Sequence, residues 1–316
     1  MSGRVLVTGG AGFIGSHLAA EYQRAGWDVT VLDDLSRGRE SNVPPGIPLV
    51  KADVGSPEAR KAVAEGRFDV MNLQAAQIDV RVSVSHPDVD ARTNLMGLLN
   101  MLEGAAAGNV RRVVFASSGG VVYGDPEVLP TPETSPKMPI SPYGVSKLSG
   151  EHYLRALAGL RGFECVAMRY ANVFGPRQDP KSEAGVVSIF ISYLLEARSL
   201  TVFGDGKQTR DYVFVKDVAR ANVAASSARL PPVNEHDDIA FNVATGTQKS
   251  VLDLAAAVGE VMNLKPKIDL APARAGELQR SSLDISRARA VLGWSPQVSF
   301  HEGLRETVEW FRGGAR

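Results

Sequence analysis

Apolar residues in the first half of the chain gather in short runs, and the segments between the runs carry apolar positions at helical spacing. The runs place strands at 4–8, 28–33, 48–52, 69–73, 112–117 and 164–170. The intervening segments place helices near 12–25, 57–65, 93–107 and 142–160. Two helix starts are signalled locally: Ser56-Pro57-Glu58 sets a capping hydroxyl before a proline at the first helical position, and Ser141-Pro142 repeats the device just before Tyr143. Alternating helices and apolar strands imply a parallel sheet covered on both faces, an α/β doubly wound fold. The second half is less regular. It predicts a helix near 185–198, strands at 200–203 and 239–243, and helices near 250–263, 286–292 and 300–312. No internal repeat is apparent, and the stretch from Leu230-Pro231-Pro232 to Asp238 reads as an exposed connection.

The first strand runs directly into Thr8-Gly9-Gly10-Ala11-Gly12-Phe13-Ile14-Gly15, a turn almost without side chains. Glycine lets the backbone approach a diphosphate closely, and the helix starting near Gly12 offers free N–H groups and a positive dipole end. Eighteen residues after Gly15, the second strand ends in Asp33-Asp34. A carboxylate there accepts both hydroxyls of an adenosine ribose and repels a 2′-phosphate, so the expected cofactor is NAD and not NADP. The glycine spacing alone is a weak signal. It becomes specific after a strand, before a helix and with an acid closing the next strand.

Composition narrows the class. The 316 residues suffice for one large domain or two intimately shared ones, and 44% apolar with 22% charged residues is ordinary for a globular protein. Basic and acidic residues balance at 35 each with no basic run, so nucleic acid is not an expected partner. The single cysteine, Cys165, lies in an apolar run and reads as a buried strand thiol. Histidines 17, 86, 152, 236 and 301 have no ligand-like spacing, so no metal is expected. No apolar stretch approaches the roughly 20 residues a bilayer requires. The first strand begins by residue 4, which leaves no room for a signal peptide, so a reducing cytoplasm is the expected location.

Tyr143-Gly144-Val145-Ser146-Lys147 is the second informative segment. On a helix, positions i and i+4 face the same way, so the phenol and the ammonium become neighbours. A free tyrosine has a pKa of about 10, too high for a base at neutral pH. A lysine cation together with a positively charged nicotinamide would stabilise the phenolate. A third segment, Phe115-Ala116-Ser117-Ser118-Gly119-Gly120-Val121-Val122-Tyr123-Gly124, follows a strand whose end should open onto the cofactor crevice. Its small residues leave space for a nicotinamide and a sugar, and Ser117 or Ser118 could hydrogen-bond a substrate hydroxyl.

With these three segments in place, the chain resembles the extended short-chain dehydrogenase/reductase family, and within it the nucleotide-sugar 4-epimerases. The resemblance spans essentially the whole chain. It includes Gly9/Gly12/Gly15, Asp53-Val54, Ala75-Ala76-Gln77, Asn94, Tyr143/Lys147 and the run from Arg169-Tyr170-Ala171-Asn172 to Gly175-Pro176-Arg177. It continues through Gly204-Asp205-Gly206, Thr209-Arg210-Asp211-Tyr212 and Arg274-Ala275-Gly276-Glu277.

The resemblance implies a Rossmann domain over 1–174, rejoined by about 214–246, and a smaller C-terminal α/β domain for the nucleotide sugar from 175–213 and 247–316. For the cofactor it implies Gly9, Gly12, Phe13, Ile14 and Gly15 at the NAD diphosphate, Asp33 at the ribose, and Asp53 and Val54 at the adenine. Ala75, Ala76, Asn94 and Tyr170 complete that site. Tyr143 would be the catalytic base and Lys147 the group that holds the nicotinamide ribose and lowers the pKa of Tyr143. Asn172, Arg210 and Arg274 would grip the substrate diphosphate, and Phe203 would cover its base.

Relatives often carry a catalytic serine or threonine four residues before Tyr123, where this chain has Gly119. The hydroxyl partner of Tyr143 then has to come from Ser118 or Ser117. Related dehydratases place an Asp-Glu pair ahead of Tyr123-Gly124, and Gly119 to Val122 contain no acid, so elimination lacks its catalysts. The implied activity is NAD-dependent 4-epimerisation of a UDP-hexose (UDP-glucose and UDP-galactose) through a transient 4-keto sugar. Ser281 stands where epimerases restricted to unacetylated sugars have tyrosine, which extends the expectation to UDP-N-acetylglucosamine and UDP-N-acetylgalactosamine. A UDP-glucuronate 4-epimerase or other C4-oxidising nucleotide-sugar enzyme, and a non-catalytic NAD-binding regulator, remain open alternatives on sequence. The family also implies a homodimer through the helices near 93–107 and 142–160.

Overall fold

The structure, a computed structural model, describes residues 3–181, 185–273 and 278–314. Strand and helix alternate first as β1 (Arg4–Thr8), α1 (Phe13–Arg24), β2 (Asp28–Asp33), β3 (Leu49–Lys51), α2 (Pro57–Glu65) and β4 (Val70–Leu73). Then come α3 (Val80–Ser85), α4 (Pro87–Ala91), α5 (Gly97–Ala107), β5 (Arg112–Ser118), α6 (Gly119–Val122), α7 (Pro142–Arg161) and β6 (Glu164–Tyr170). The remainder is more finely divided: β7 (Asn172–Phe174), α8 (Val186–Leu195), β8 (Leu200–Phe203), β9 (Thr209–Arg210), β10 (Tyr212–Phe214), α9 (Val215–Ser227) and β11 (Ala240–Val243). It closes with β12 (Lys249–Ser250), α10 (Val251–Met262), β13 (Ile268–Ala271), α11 (Ser286–Leu292) and α12 (Phe300–Arg312).

Seven strands pair in parallel in the order β11-β6-β5-β4-β1-β2-β3, the doubly wound arrangement expected from the alternating pattern. The chain winds outward from β1 through β2 to β3, then returns to the other side of β1 with β4. The carboxyl ends of β1 and β4 therefore flank a switch point, the place where such sheets open a crevice. Both sheet faces are dry. Val5 and Val7 pack with Leu18, Ala19 and Tyr22 of α1 and with Ala221 and Ala225 of α9, whereas Leu6 packs with Ala59 and Val63 of α2 and Leu98 and Leu102 of α5. Each of the valines and leucines among them contributes about 1.5–3 kcal/mol on burial. A further apolar cluster, built from Phe174, Phe190, Ile191, Leu254, Val258 and Leu304, joins α8, α10 and α12.

The local start signals work as expected. The Ser141 hydroxyl accepts from the Gly144 amide at 3.2 Å and Pro142 occupies the first turn of α7, while Ser56 accepts from Ala59 at 3.1 Å in α2. The helix expected at 93–107 is interrupted: Arg92–Met96 forms a π turn before α5 begins. Helix α9 was not foreseen from the hydrophobic pattern, because its covered face carries the fully buried polar residues Asp217, Asn222 and Ser226. Among the described residues, no helix is long and apolar enough to cross a membrane. Cys165 is buried, and burial pushes its thiol up to about 12, so it stays protonated and inert.

Candidate active site

The carboxyl ends of β1, β2, β4 and β5 open into a cleft of about 1930 Å³, with Asn172, Val186, Phe203, Arg210 and Ser281 on its other walls. The residues nominated from sequence line this cleft with two exceptions. Arg274 lies outside the described residues, as does the rest of its Arg-Ala-Gly-Glu segment. Asn94 is buried beside the cleft without lining it.

The glycine turn is shaped by close backbone approach. Gly9 has φ +64°, and a Cβ there would sit 2.8 Å from the Ala75 amide nitrogen, while a Cβ at Gly15 would overlap the Gly9 carbonyl. Gly12 caps α1 with no side-chain hydrogen bond, and the first turn of α1 contains no acid. By contrast, α2, α7, α10 and α12 each begin with a serine that accepts from their first turn. The uncapped N–H groups of α1, set beside a cleft, fit an anionic diphosphate. At the end of β2, Asp33 accepts from the Ala11 amide at 2.9 Å and the Leu35 amide at 2.8 Å, which ties the glycine turn to the acid. A carboxylate has about four acceptor sites, so ribose hydroxyls can still bind. The uncapped amides of the glycine turn and the Asp33 carboxylate thus suit a diphosphate and a ribose in charge.

Asn94 has a supporting position in the structure. Its side chain brackets the main chain of Gln77, accepting from the amide and donating to the carbonyl, both at 2.9 Å, and it donates to Asp90 at 2.9 Å. It holds the loop that follows Ala75 and Ala76. Asn94→Ala leaves several of these buried groups unsatisfied, so a loss of about 1–3 kcal/mol is expected in denaturant unfolding of the cofactor-free protein.

Tyr143 and Lys147 sit one turn apart on α7, with the Lys147 ammonium 5.7 Å from the centre of the Tyr143 ring. Lys147 donates to the Ala116 carbonyl at 2.8 Å, and burial lowers its pKa to about 8 against the opposing pull of Asp90 and Glu151. The expected acidification of Tyr143 is not achieved by Lys147 alone. Burial raises the phenol above its ordinary range and the Asp90 carboxylate adds to that, so the proton stays on Tyr143. Asp90 is fully buried and accepts from Ser146 of α7 at 2.5 Å.

The structure also separates the two serines. The buried Ser117 hydroxyl donates to Glu151 at 2.5 Å, so its proton is already committed; Ser118 caps α6 without a side-chain bond of its own to that helix and lines the cleft. Gly119 has a steric explanation: a Cβ there would run into the buried side chain of Leu283. At Gly120 a Cβ would meet nothing nearer than the Ser118 hydroxyl at 3.8 Å, which leaves space on that side. Tyr170 lines the cleft while its hydroxyl is bound by Gln74 at 3.0 Å and Asn222 at 2.8 Å, so the ring is the part left to meet a ligand.

The parallel pair β7 and β10 brings Asn172 beside the Arg210 segment, where the Asn172 amide donates to the Asp211 carbonyl at 2.9 Å. Arg210 donates to the carbonyls of Thr209 and Leu278, each at 2.8 Å. Ser281 is buried at the cleft wall. Arg177, quoted in a motif but given no role from sequence, also lines the cleft, with φ +68°. One of its terminal nitrogens is buried without a hydrogen-bond partner among the described residues, and burial lowers its pKa. A guanidinium left in that condition at a cleft favours an anion.

Residues 5–244 match the NAD dependent epimerase/dehydratase family. A UDP-glucose 4-epimerase from Mycolicibacterium smegmatis is 44% identical over 98% of this chain and 98% of its own. The crystal structure of a Thermotoga maritima UDP-glucose 4-epimerase with UDP-glucose superposes with TM-score 0.93 at 40% identity, over 99% of this chain and all of the other. That of a Thermus thermophilus UDP-glucose 4-epimerase in complex with NAD superposes with TM-score 0.91 at 42% identity and the same coverage. With the fold, the uncapped glycine turn and the Tyr143/Lys147 pair in agreement, the chain belongs to the NAD dependent epimerase/dehydratase family.

Proposed function

We propose that this protein is an NAD-dependent 4-epimerase that interconverts UDP-glucose and UDP-galactose. One observation carries the reading: a Tyr-Lys pair shares one cleft with an uncapped diphosphate turn on one side and Asn172, Arg210 and Arg177 on the other. These groups offer donors for two diphosphates beside one acid–base residue.

The loop amides near Phe13 and Ile14 hold the cofactor diphosphate, Asp33 its ribose, and Asp53 and Val54 its adenine. Bound there, NAD supplies the acceptor and later the donor of the C4 hydride. Lys147 holds the second ribose. Asn172 and Arg210, with Arg274 and Arg177, neutralise the substrate diphosphate, and Phe203 covers the uracil. Lys147 by itself leaves Tyr143 protonated, and an oxidised nicotinamide held beside it would supply the second positive charge that favours the phenolate. Tyr143 then takes the 4-hydroxyl proton with Ser118 as its hydroxyl partner. The space beside Gly120 would let a 4-keto sugar turn about its diphosphate, and Tyr143 would return the proton to its 4-oxygen. Held ligand geometry and a tuned base are the chain's contributions.

UDP-galactose added to the NAD-loaded protein is expected to raise the near-ultraviolet absorbance of reduced nicotinamide without any external reductant. A non-catalytic binder would leave that absorbance unchanged.

Ser281 supports a wider substrate range, because a small buried residue at the cleft wall leaves room for a 2-acetamido group. Ser281→Tyr is expected to lower kcat/KM for UDP-N-acetylgalactosamine at least about tenfold more than for UDP-galactose, a cost typical of lost space in a specificity pocket. Equal loss on both sugars would remove Ser281 as the determinant.

The division of labour proposed is a cofactor domain over 1–174 with about 214–246, and a substrate domain from 175–213 and 247–316. The separate apolar cluster of α8, α10 and α12 supports it. A homodimer is proposed through the helices near 93–107 and 142–160. Of the leucines on these helices, Leu98, Leu102 and Leu154 are core residues, whereas Met96, Val145 and Tyr153 are exposed and suit an interface. The buried thiol of Cys165 is compatible with the reducing cytoplasm proposed as its location.

A further inference from the structure

Tyr143, Lys147 and Glu151 recur every fourth residue and so share one face of α7. The end of β5 answers this face residue by residue. The Ala116 carbonyl accepts from Lys147 at 2.8 Å, the Ser117 hydroxyl donates to Glu151 at 2.5 Å, and Ser118 lines the cleft with Tyr143. Glu151 is itself held on the neighbouring strand. Arg169 of β6 donates to both of its carboxylate oxygens, at 3.0 and 2.6 Å, and neither side chain has any solvent exposure. Arg169 is fixed in turn by the Tyr123 hydroxyl, the Glu133 carbonyl and the Asp237 carboxylate, at 3.0, 3.0 and 3.1 Å. The His236 ring nitrogen Nε2 lies 3.5 Å from Glu151.

A buried ion pair of this kind adds little net stability compared with well-packed apolar residues. What it adds is direction. Apolar packing tolerates a small slide of a helix along a strand, whereas short, directional hydrogen bonds to a fixed carboxylate do not. Proton transfer tolerates such a slide least, because base and hydroxyl must stay within hydrogen-bond reach.

We propose that Ser117, Glu151 and Arg169 form a register lock that sets α7 along the end of β5, so that Tyr143 and Lys147 meet the cofactor and Ser118 in the productive alignment. Ser117 and Glu151 are positioning residues in this arrangement, and neither needs to touch the substrate. The proposal deepens the epimerase reading and rests on it for the role of Tyr143.

Ser117→Ala tests the lock gently, because it removes one hydroxyl and leaves the Glu151–Arg169 pair intact. The ionisation of Tyr143 is followed in NAD-saturated protein by tyrosinate absorbance, with Tyr143→Phe as the blank, alongside kcat and KM for UDP-galactose. The expected result is a Tyr143 titration midpoint raised by about one pH unit and a kcat at neutral pH lowered about tenfold, with KM within about twofold of the parent protein. Ser117→Cys, close in size but a weaker donor, is expected to fall between the two and serves if the alanine variant does not fold. Parent-like titration and kcat would overturn the proposal, and so would a lowered thermal midpoint with both of those unchanged, since a merely structural role predicts that pattern. A shifted titration in a protein whose parent does not epimerise UDP-galactose would uphold the lock and reject the epimerase reading.

Discussion

Tyr143→Phe is expected to lower kcat for UDP-galactose by about a thousandfold while leaving KM and NAD binding within about threefold. The substitution removes one oxygen and keeps the ring, so the packing of α7 against β5 is retained. The size of the loss follows from the absence of a substitute base. Lys147 is committed to the Ala116 carbonyl, Ser117 to Glu151, and a serine such as Ser118 is not a base at neutral pH. Steady-state kinetics with a binding measurement for UDP decides the matter. A loss below about tenfold would mean that another group takes the proton.

The largest loss of stability is expected at Glu151. Glu151→Leu leaves the guanidinium of Arg169 buried without the carboxylate that binds it through two hydrogen bonds, and removing one partner of a buried pair costs about 3–5 kcal/mol. Urea unfolding of the two proteins at neutral pH measures it. The same residue shapes the acid limb. Burial by itself would raise the Glu151 pKa, but the nearby His236 ring, hydrogen bonds from Arg169 and Ser117 and the charge of Arg169 outweigh it and hold the carboxyl at about 2, against an ordinary 4.5. The folded state therefore favours the ionised form. The contribution of Glu151 is complete above the unfolded value and is lost progressively as pH falls from 4.5 towards 2. His17 acts in the same direction higher up. Burial holds its pKa at about 4 rather than 6.5, so the unfolded chain binds the proton first and stability declines as pH falls through that window. Glu151→Leu should flatten the lower window and leave the upper one in place. An unfolding free energy within about 1 kcal/mol of the parent protein would refute the clamp.

Where a segment's own residues decide its structure, the sequence was informative. The glycine turn, the serine–proline starts of α2 and α7, and the apolar strands of the sheet were all readable, because steric freedom, capping and burial act over a few residues. The family resemblance added the substrate side of the cleft, which no local pattern carries. What escaped depended on contacts between distant segments. The covered face of α9 bears Asp217, Asn222 and Ser226, so its hydrophobic period is broken by polar groups that find partners elsewhere in the fold. The π turn that carries Asn94 directs its amide to the main chain of Gln77, a contact between segments that no local pattern announces. Ser117 and Ser118 were equivalent on sequence, and Glu151, 34 residues from Ser117, is what distinguishes them. A faint signal for Glu151 was present: the Tyr143–Lys147 spacing continues one turn further into an acid that has no exposed face to occupy. The ionisation of Tyr143 was beyond sequence altogether, because burial and the Asp90 carboxylate come from the folded surroundings.

The central claim is a 4-epimerase whose cleft binds a UDP-hexose and holds its own NAD. Proton NMR of UDP-galactose incubated with the purified protein, without added NAD, tests it most directly. The expected result is the appearance of UDP-glucose resonances until the two sugars reach a constant ratio. No conversion, with NAD then supplied and still no conversion, would contradict it.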